Sequence, residues 1–380
     1  MSRYKMSDVA VEINERENSP ATSKYDRFVG LEHYVSGDVI IRNFGSTERL
    51  ESTMKVFQNG DVLVARRNVY LKRASMVDFD GLTSGDSIVL RAKDPVIGRI
   101  LPFVLNTDEF WDFADQYSDG TMSKRLSPKT LMKYEFDLPA EDELEAFADL
   151  LWAANDTKEA YQALLRQTDE LVKSQFIEMF GTAADNSRGY PVGTISDVVC
   201  DVHYGTSRKA SDDGDYAYLR MNNITYGGEL DLADVKRISV PPKELEGCLV
   251  KKGDVLFNRT NSRELVGKTC SFMLDEPMVI AGYIIRLRMN GKVHPEYLST
   301  FLNLDSSKKM LMAMSKGAVG QANINAKEVQ AIEIVIPPID VQQQFCQLVH
   351  QTDKSKFELK KAIENTAALI KSLMQQDLSQ

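Results

Sequence analysis

Cysteine and histidine are scarce in this chain, four of each among 380 residues. Cys200, Cys248, Cys270 and Cys346 all fall in the second half and contain no Cys-x-x-Cys pair. That distribution argues against a disulfide frame or a zinc finger and for incidental thiols of a reducing compartment. The histidines, His33, His203, His294 and His350, form no His-Glu-x-x-His pattern, so no metal ligand set is expected. Also missing are the Gly-x-x-x-x-Gly-Lys-Ser/Thr phosphate loop, the Gly-x-Gly-x-x-Gly fingerprint and the Gly-x-Ser-x-Gly nucleophile elbow. No catalytic residue and no cofactor is therefore assigned to the chain. There is no uninterrupted apolar run long enough to span a bilayer, and polar sequence follows Met1-Ser2-Arg3-Tyr4-Lys5. A cytoplasmic protein without a membrane partner is the expectation.

What the chain does contain is itself, twice. Lys55-Val56-Phe57-Gln58-Asn59-Gly60-Asp61-Val62-Leu63-Val64-Ala65-Arg66-Arg67-Asn68 returns as Cys248-Leu249-Val250-Lys251-Lys252-Gly253-Asp254-Val255-Leu256-Phe257-Asn258-Arg259-Thr260-Asn261. Ser7-Asp8-Val9 pairs with Ser196-Asp197-Val198, Gly37 with Gly228, and the run ending at Pro139 with the run ending at Pro337. A unit of this size is a domain plus a connector, so the sequence implies an internal duplication with pseudo-two-fold character. In each copy short β-branched and aromatic runs alternate with Gly, Asn, Asp and Pro turns and with helical stretches, which predicts α/β (α+β) globular domains. Asp61 and Asp254 sit in Gly-Asp turns that lead into strands, and we assign them to turn chemistry, not to acid catalysis.

After Pro139 and again after Pro337-Pro338 the turn-formers vanish, and the chain should enter a helix of about 40 residues, roughly 60 Å long. Heptad templates fit both helices. The first carries Phe147, Ala154, Tyr161, Thr168 and Gln175 with Leu151, Lys158, Leu165, Val172 and Met179. The second carries Phe345, Thr352, Leu359, Thr366 and Leu373 with Val349, Lys356, Ile363 and Ile370. Such a seam must be buried against another helix, and the other copy's helix is the nearest candidate, giving an antiparallel coiled coil. The boundaries read as 1–139 and 182–337 for the globular domains, with 140–181 and 338–380 for the helices.

The net charge of −9 is unevenly placed. Glu141 to Phe180 holds ten acidic and three basic residues, a balance of −7, which leaves −2 for everything else. Overall acidity therefore does not exclude a nucleic-acid partner. Basic and polar loops stand at matching places in the two copies: Arg66, Arg67, Asn68, Lys72 and Arg73 against Asn258, Arg259, Thr260, Asn261 and Arg263. A second pair sets Lys124 and Arg125 against Lys316, Gln321 and Asn323. Arginine forks and amides suit base edges, and lysines and hydroxyls suit phosphates. Any one of these loops alone is more simply a solvated turn; their duplication favours a site.

The Gly-Asp-Val-Leu-Phe-Asn-Arg segment at 253–259 with its partner at 60–66, the Ser-Lys-Gly-x-x-Gly-Gln-x-Asn-Ile loop at 315–324, and Ile-Pro-Pro-x-x-x-Gln-Gln-x-Phe at 336–345 carry a resemblance. In their order and duplication, over nearly the full chain, they resemble the specificity (S) subunits of type I restriction-modification systems. The resemblance implies two target-recognition domains, each reading one half of a bipartite site on double-stranded DNA. It implies that the coiled coil docks two methyltransferase (modification) subunits, with Phe147, Leu151, Tyr161, Leu165, Val172, Phe345, Val349, Leu359, Ile363 and Ile370 along its seam. S-adenosylmethionine, and ATP with Mg, would then be bound in the partner modification and restriction subunits and not here. The first copy departs from the pattern, since Met122-Ser123-Lys124-Arg125-Leu126 replaces the Val-Gly-Gln-Ala-Asn-Ile run. The reading that competes with DNA recognition is a non-enzymatic coiled-coil scaffold whose two domains bind proteins.

Overall fold

A computed structural model describes residues 2–120, 123–182, 185–315 and 322–375. The architecture is mixed α and β, built on two four-stranded antiparallel sheets of identical connectivity. The first runs Ala10–Ile13, Ser87–Ala92, Val62–Ala65, Ala74–Met76, and the second Val199–Tyr204, Ile284–Met289, Asp254–Asn258, Thr269–Phe272. A second sheet accompanies each, five-stranded in the first copy and four-stranded in the second, and both contain one parallel pairing, Arg27–Val29 with Gly81–Thr83 and Tyr216–Leu219 with Met278–Ile280. Central strands such as Val62–Ala65 and Asp254–Asn258 are buried along their whole length, which is why Val62–Ala65 and the Val255–Phe257 stretch read as continuous apolar runs without alternation.

The repeated Gly-Asp turn has one physical basis in both copies. Gly60 (φ 88°) and Gly253 (φ 93°) adopt the left-handed conformation that a Cβ would strain. The next residue's carboxylate then closes the turn, Asp61 accepting from the Gln58 amide at 2.8 Å and Asp254 from the Lys251 amide at 2.9 Å. Both carboxylates are buried, and each receives a forked guanidinium from the neighbouring strand. Arg91 donates to Asp61 at 2.7 and 2.8 Å, and Arg288 to Asp254 at 2.8 Å twice. The hydrogen bonds to these aspartates raise both guanidinium pKa values further. An acid so fully satisfied holds a turn.

The chain divides into two compact units, Met1–Gln162 with Lys361–Gln380, and Ala163–Lys360. Two 37-residue helices, Leu144–Phe180 and Ile339–Gln375, contribute to both. Within the first unit, Leu144, Ala148 and Leu151 join the core with the Pro95–Val104 helix, and Ile370, Leu373 and Met374 pack on the same cluster. Within the second, Phe176, Phe180, Tyr297 and Phe345 form one aromatic cluster with ring centroids 4.8 to 5.5 Å apart. Each such buried ring contributes roughly 1.5–3 kcal/mol by area alone.

Ion pairs repeat this plan. Lys158 approaches Asp38 at 3.9 Å and Lys371 binds Asp108 at 2.7 Å in the first unit. In the second, Lys356 reaches Glu229 at 3.8 Å and Lys173 binds Asp305 at 3.0 Å. Asn106 and Asn303 are matched likewise: each amide donates to the carbonyl four residues before it and to a strand carbonyl, of Ala74 and Thr269 respectively.

Candidate functional site

In each unit the loop after the repeated strand is held against a loop that precedes the last strand by about ten residues. In the first unit the Leu126 amide donates to the Arg66 carbonyl at 2.9 Å, the Asn68 amide to Lys124 O at 3.0 Å, and Arg67 bridges Arg125. In the second the Ile324 amide donates to the Arg259 carbonyl at 2.9 Å, and Thr260–Asn261 pairs with Ala322–Asn323. Two segments some 60 residues apart in sequence thus form one surface, and the chain builds that surface twice.

The side chains differ. In the first unit Asp86 receives both Arg67, at 3.3 Å, and Arg125. Lys124 is held by Asp115 at 2.6 Å, and Lys72 by Asp108 at 2.7 Å. Asp108 also accepts from Lys371, and the bonds from Lys371 and then Lys72 hold its carboxyl at about 2. Burial and then the neighbouring Arg125 charge lower the pKa of Arg66, whose Nε lies buried without a partner. Arg73 points inward and donates to the carbonyls of Leu31 and Arg67, at 2.9 and 3.2 Å, so it shapes the loop and does not line its surface. Asn68 (φ 55°) and Lys72 (φ 45°) take left-handed backbone at either end of a short turn; for lysine that conformation is a strained one.

In the second unit no carboxylate among the described residues occupies the equivalent place. The Arg66 amide donates to Asp86 O, and the Arg259 amide to Tyr283 O, so Tyr283 stands where Asp86 stands. Arg259 lies over the Tyr204 ring at 4.7 Å and donates through Nε to Asn323 Oδ1 at 3.2 Å. Tyr204 and Tyr283 are 41 % and 52 % exposed, giving an aromatic, arginine and amide surface that also includes Asn261. The Tyr204 hydroxyl accepts from the Ala326 amide at 2.8 Å, fixing the ring. The adjacent Gly205 is obligatory here, because a Cβ would lie 2.1 Å from the Ile280 carbonyl oxygen.

Asn258 does not belong to this surface. It is fully buried, donating toward Met221 O at 3.5 Å and accepting from the Thr260 amide at 3.4 Å, so it supports the strand end. Thr260 is buried too, whereas Arg263 is exposed on the following turn. Lys316 and Gln321 lie outside the described residues. Of the expected helix seam, Leu151, Val172 and Phe345 are buried, and Phe147, Tyr161, Leu165, Val349, Leu359, Ile363 and Ile370 are half-buried. Tyr204 and Tyr283 were not among the residues singled out from sequence. Their place depends on strand register, which no local motif encodes.

Residues 189–368 match the model of the type I restriction modification DNA specificity domain. The type I restriction enzyme EcoKI specificity subunit of Escherichia coli (strain K12) is 25 % identical over 187 residues, 48 % of this chain and 40 % of that one. The chain thus spans less than half of the curated relatives it matches, 40 and 42 % of their lengths. Among solved structures, the type I restriction-modification S subunit from M. genitalium aligns over 98 % of this chain and 95 % of its own, with a TM-score of 0.54 and 12 % identity. A chain from a type I R-M system solved to explain its complex assembly aligns over 99 % and 96 %, with a TM-score of 0.53 and 19 % identity. At such identities the likeness is one of fold.

Proposed function

Residues 189–368 match the model of the type I restriction modification DNA specificity domain, and from that similarity we propose that the whole chain is a non-catalytic, sequence-specific DNA-recognition subunit. Residues 1–139 and 182–337 act as two target-recognition domains, each reading half of a bipartite duplex site. The helical stretches 140–181 and 338–380 pair as an antiparallel coiled coil that docks two adenine methyltransferase subunits, joined by restriction subunits where cleavage occurs. S-adenosylmethionine and ATP with Mg belong to those partners. The carrying observation is the paired-loop surface built twice, with arginine at the same backbone position, Arg66 and Arg259, in both copies.

Chemistry follows from the surface. Arg259 is pre-oriented by a ring and an amide and keeps hydrogen-bond capacity for a guanine edge or a phosphate. Asn261, whose Oδ1 accepts from the Ser262 amide at 2.9 Å, keeps its amide donors and a second lone pair for the donor and acceptor pair that adenine presents in the major groove. Surrounding lysines and arginines add salt-dependent phosphate attraction, which sets affinity and not sequence. No helix among the described residues is long and apolar enough to cross a membrane, and we place the complex in the cytoplasm, where its DNA is.

The test is to co-express the chain with its modification subunit and map methylated adenines across the host genome. A split motif with a fixed spacer, one half of which changes when Arg259 and Asn261 are replaced, is the expected result. An assembled complex that methylates without sequence preference overturns the reading.

A further inference from the structure

Among the described residues, the second unit contains a donor cluster without a counterpart in the first. It lies where the Pro295–Asn303 helix begins against the first turns of the Ile339–Gln375 helix. His294, Glu296 and Cys346 each bring one ligand atom to a common point, all within 4.8 Å of one another. Glu296 is 6 % exposed and Cys346 4 %. Cys346 and His350 are four residues apart and so share a helix face. His350 Nε2 lies 2.9 Å from Glu296 Oε1, and Cys346 Sγ lies 3.9 Å from Glu296 Oε2. One carboxylate oxygen is therefore held by His350, and the other faces the thiol. The imidazole of His294 makes no hydrogen bond to any described residue.

We propose that His294, Glu296 and Cys346 bind a structural Zn2+ ion, with His350 orienting the carboxylate from outside and water completing the tetrahedron. Imidazole nitrogen, carboxylate oxygen and thiolate are the donor types zinc prefers, and tetrahedral bonds of about 2.0–2.3 Å place such donors about 3.3–3.8 Å apart. Small side-chain rotations bring the present cluster to that spacing. Carboxylates that ligate a metal are themselves hydrogen-bonded from outside, and His350 makes that bond to Glu296 here. Binding expels the thiol proton to solvent.

The first copy shows what the site does mechanically. By the offsets of the repeat, Ile97, Arg99, Ala148 and Trp152 stand where His294, Glu296, Cys346 and His350 stand. There the Trp152 indole fastens the long helix to its domain, donating to Arg99 O at 3.0 Å and packing edge-on to Phe103 at 5.3 Å. In the second copy His350 stands in place of that indole, next to the packing of Phe345 on Phe176 and Phe180. An ion bridging the helix and the domain supplies the same fastening through coordination.

The experiment uses the full-length chain, stripped with chelator, then titrated with Zn2+ against a chromophoric competitor and separately with Co2+. The expected result is one ion per chain and a thiolate-to-cobalt charge-transfer band. Cys346→Ser removes that band, Cys200→Ser leaves it unchanged, and His350→Ala weakens zinc about 10–100-fold as outer-partner losses do. His294→Ala serves as the second ligand variant if Cys346→Ser does not fold, and should weaken binding more than His350→Ala. Failure of the wild-type chain to bind Zn2+ overturns the proposal, as does a cobalt spectrum indifferent to Cys346. Neither outcome bears on DNA recognition.

Discussion

The two copies share a backbone and differ in how their loop charges are neutralised. In the first, Arg67 and Arg125 converge on Asp86, and Lys72 and Lys124 have carboxylates of their own. In the second, Tyr283 occupies the place of Asp86, and Arg259 rests on a ring and an amide. An anion approaching the first surface must compete with resident carboxylates, while the second offers its arginine directly. The two copies keep the same backbone scaffold for this surface and differ in its electrostatics.

The largest expected contrast concerns stability. Phe345 is fully buried and Phe147, its counterpart in the repeat, is half-buried. Phe345→Ala should cost about 3–5 kcal/mol in denaturant unfolding, and Phe147→Ala clearly less; equal losses would erase the asymmetry. Next comes recognition. In the assembled complex Arg259→Ala should weaken the cognate half-site by about 1–3 kcal/mol, whereas Arg125→Ala should do less because its charge is already paired. Fluorescence anisotropy with each half-site scrambled in turn distinguishes them.

Asp86→Asn tests the same contrast from the other side. Freeing Arg67 and Arg125 should tighten DNA binding several-fold and steepen its salt dependence, since more cations become available to phosphates. An unchanged slope would show that these arginines face no DNA. The smallest effect is acidic. Asp108, held at about 2 by Lys371 and then Lys72, has a folded value below its unfolded value of about 4. Its stabilising contribution is complete above about pH 4 and disappears as pH falls through about 2. Asp108→Asn should flatten that part of the acid-unfolding curve of the first unit, where Asp305→Asn should leave it unchanged.

Local features were legible in the sequence because their causes are local. The Gly-Asp turns needed only a left-handed glycine and a neighbouring carboxylate, and the long helices followed from the disappearance of turn-formers. The helix seam was harder to read. The expected line ran through Phe147, Ala154 and Gln175, but the residues one step later, Ala148, Asn155 and Phe176, are more deeply buried. Each helix packs on a globular core as well as on another helical segment, so its buried face is broad and admits alanine and asparagine that an apolar template passes over. Asn258 looked like a recognition amide, and only its strand position shows that it is buried. The Cys346 cluster was invisible for another reason: its donors lie some 50 residues apart, so no spacing motif could report it.

The division of the long helices has a bearing on biogenesis. Residues 361–375 complete the first unit, with Ile370, Leu373 and Met374 on its core, yet they are translated after all of residues 163–360. The amino-terminal domain therefore emerges from the ribosome first and closes last, holding an unfilled apolar groove while the intervening unit folds as a contiguous stretch. In the cell, the order of synthesis and the order of completion are reversed.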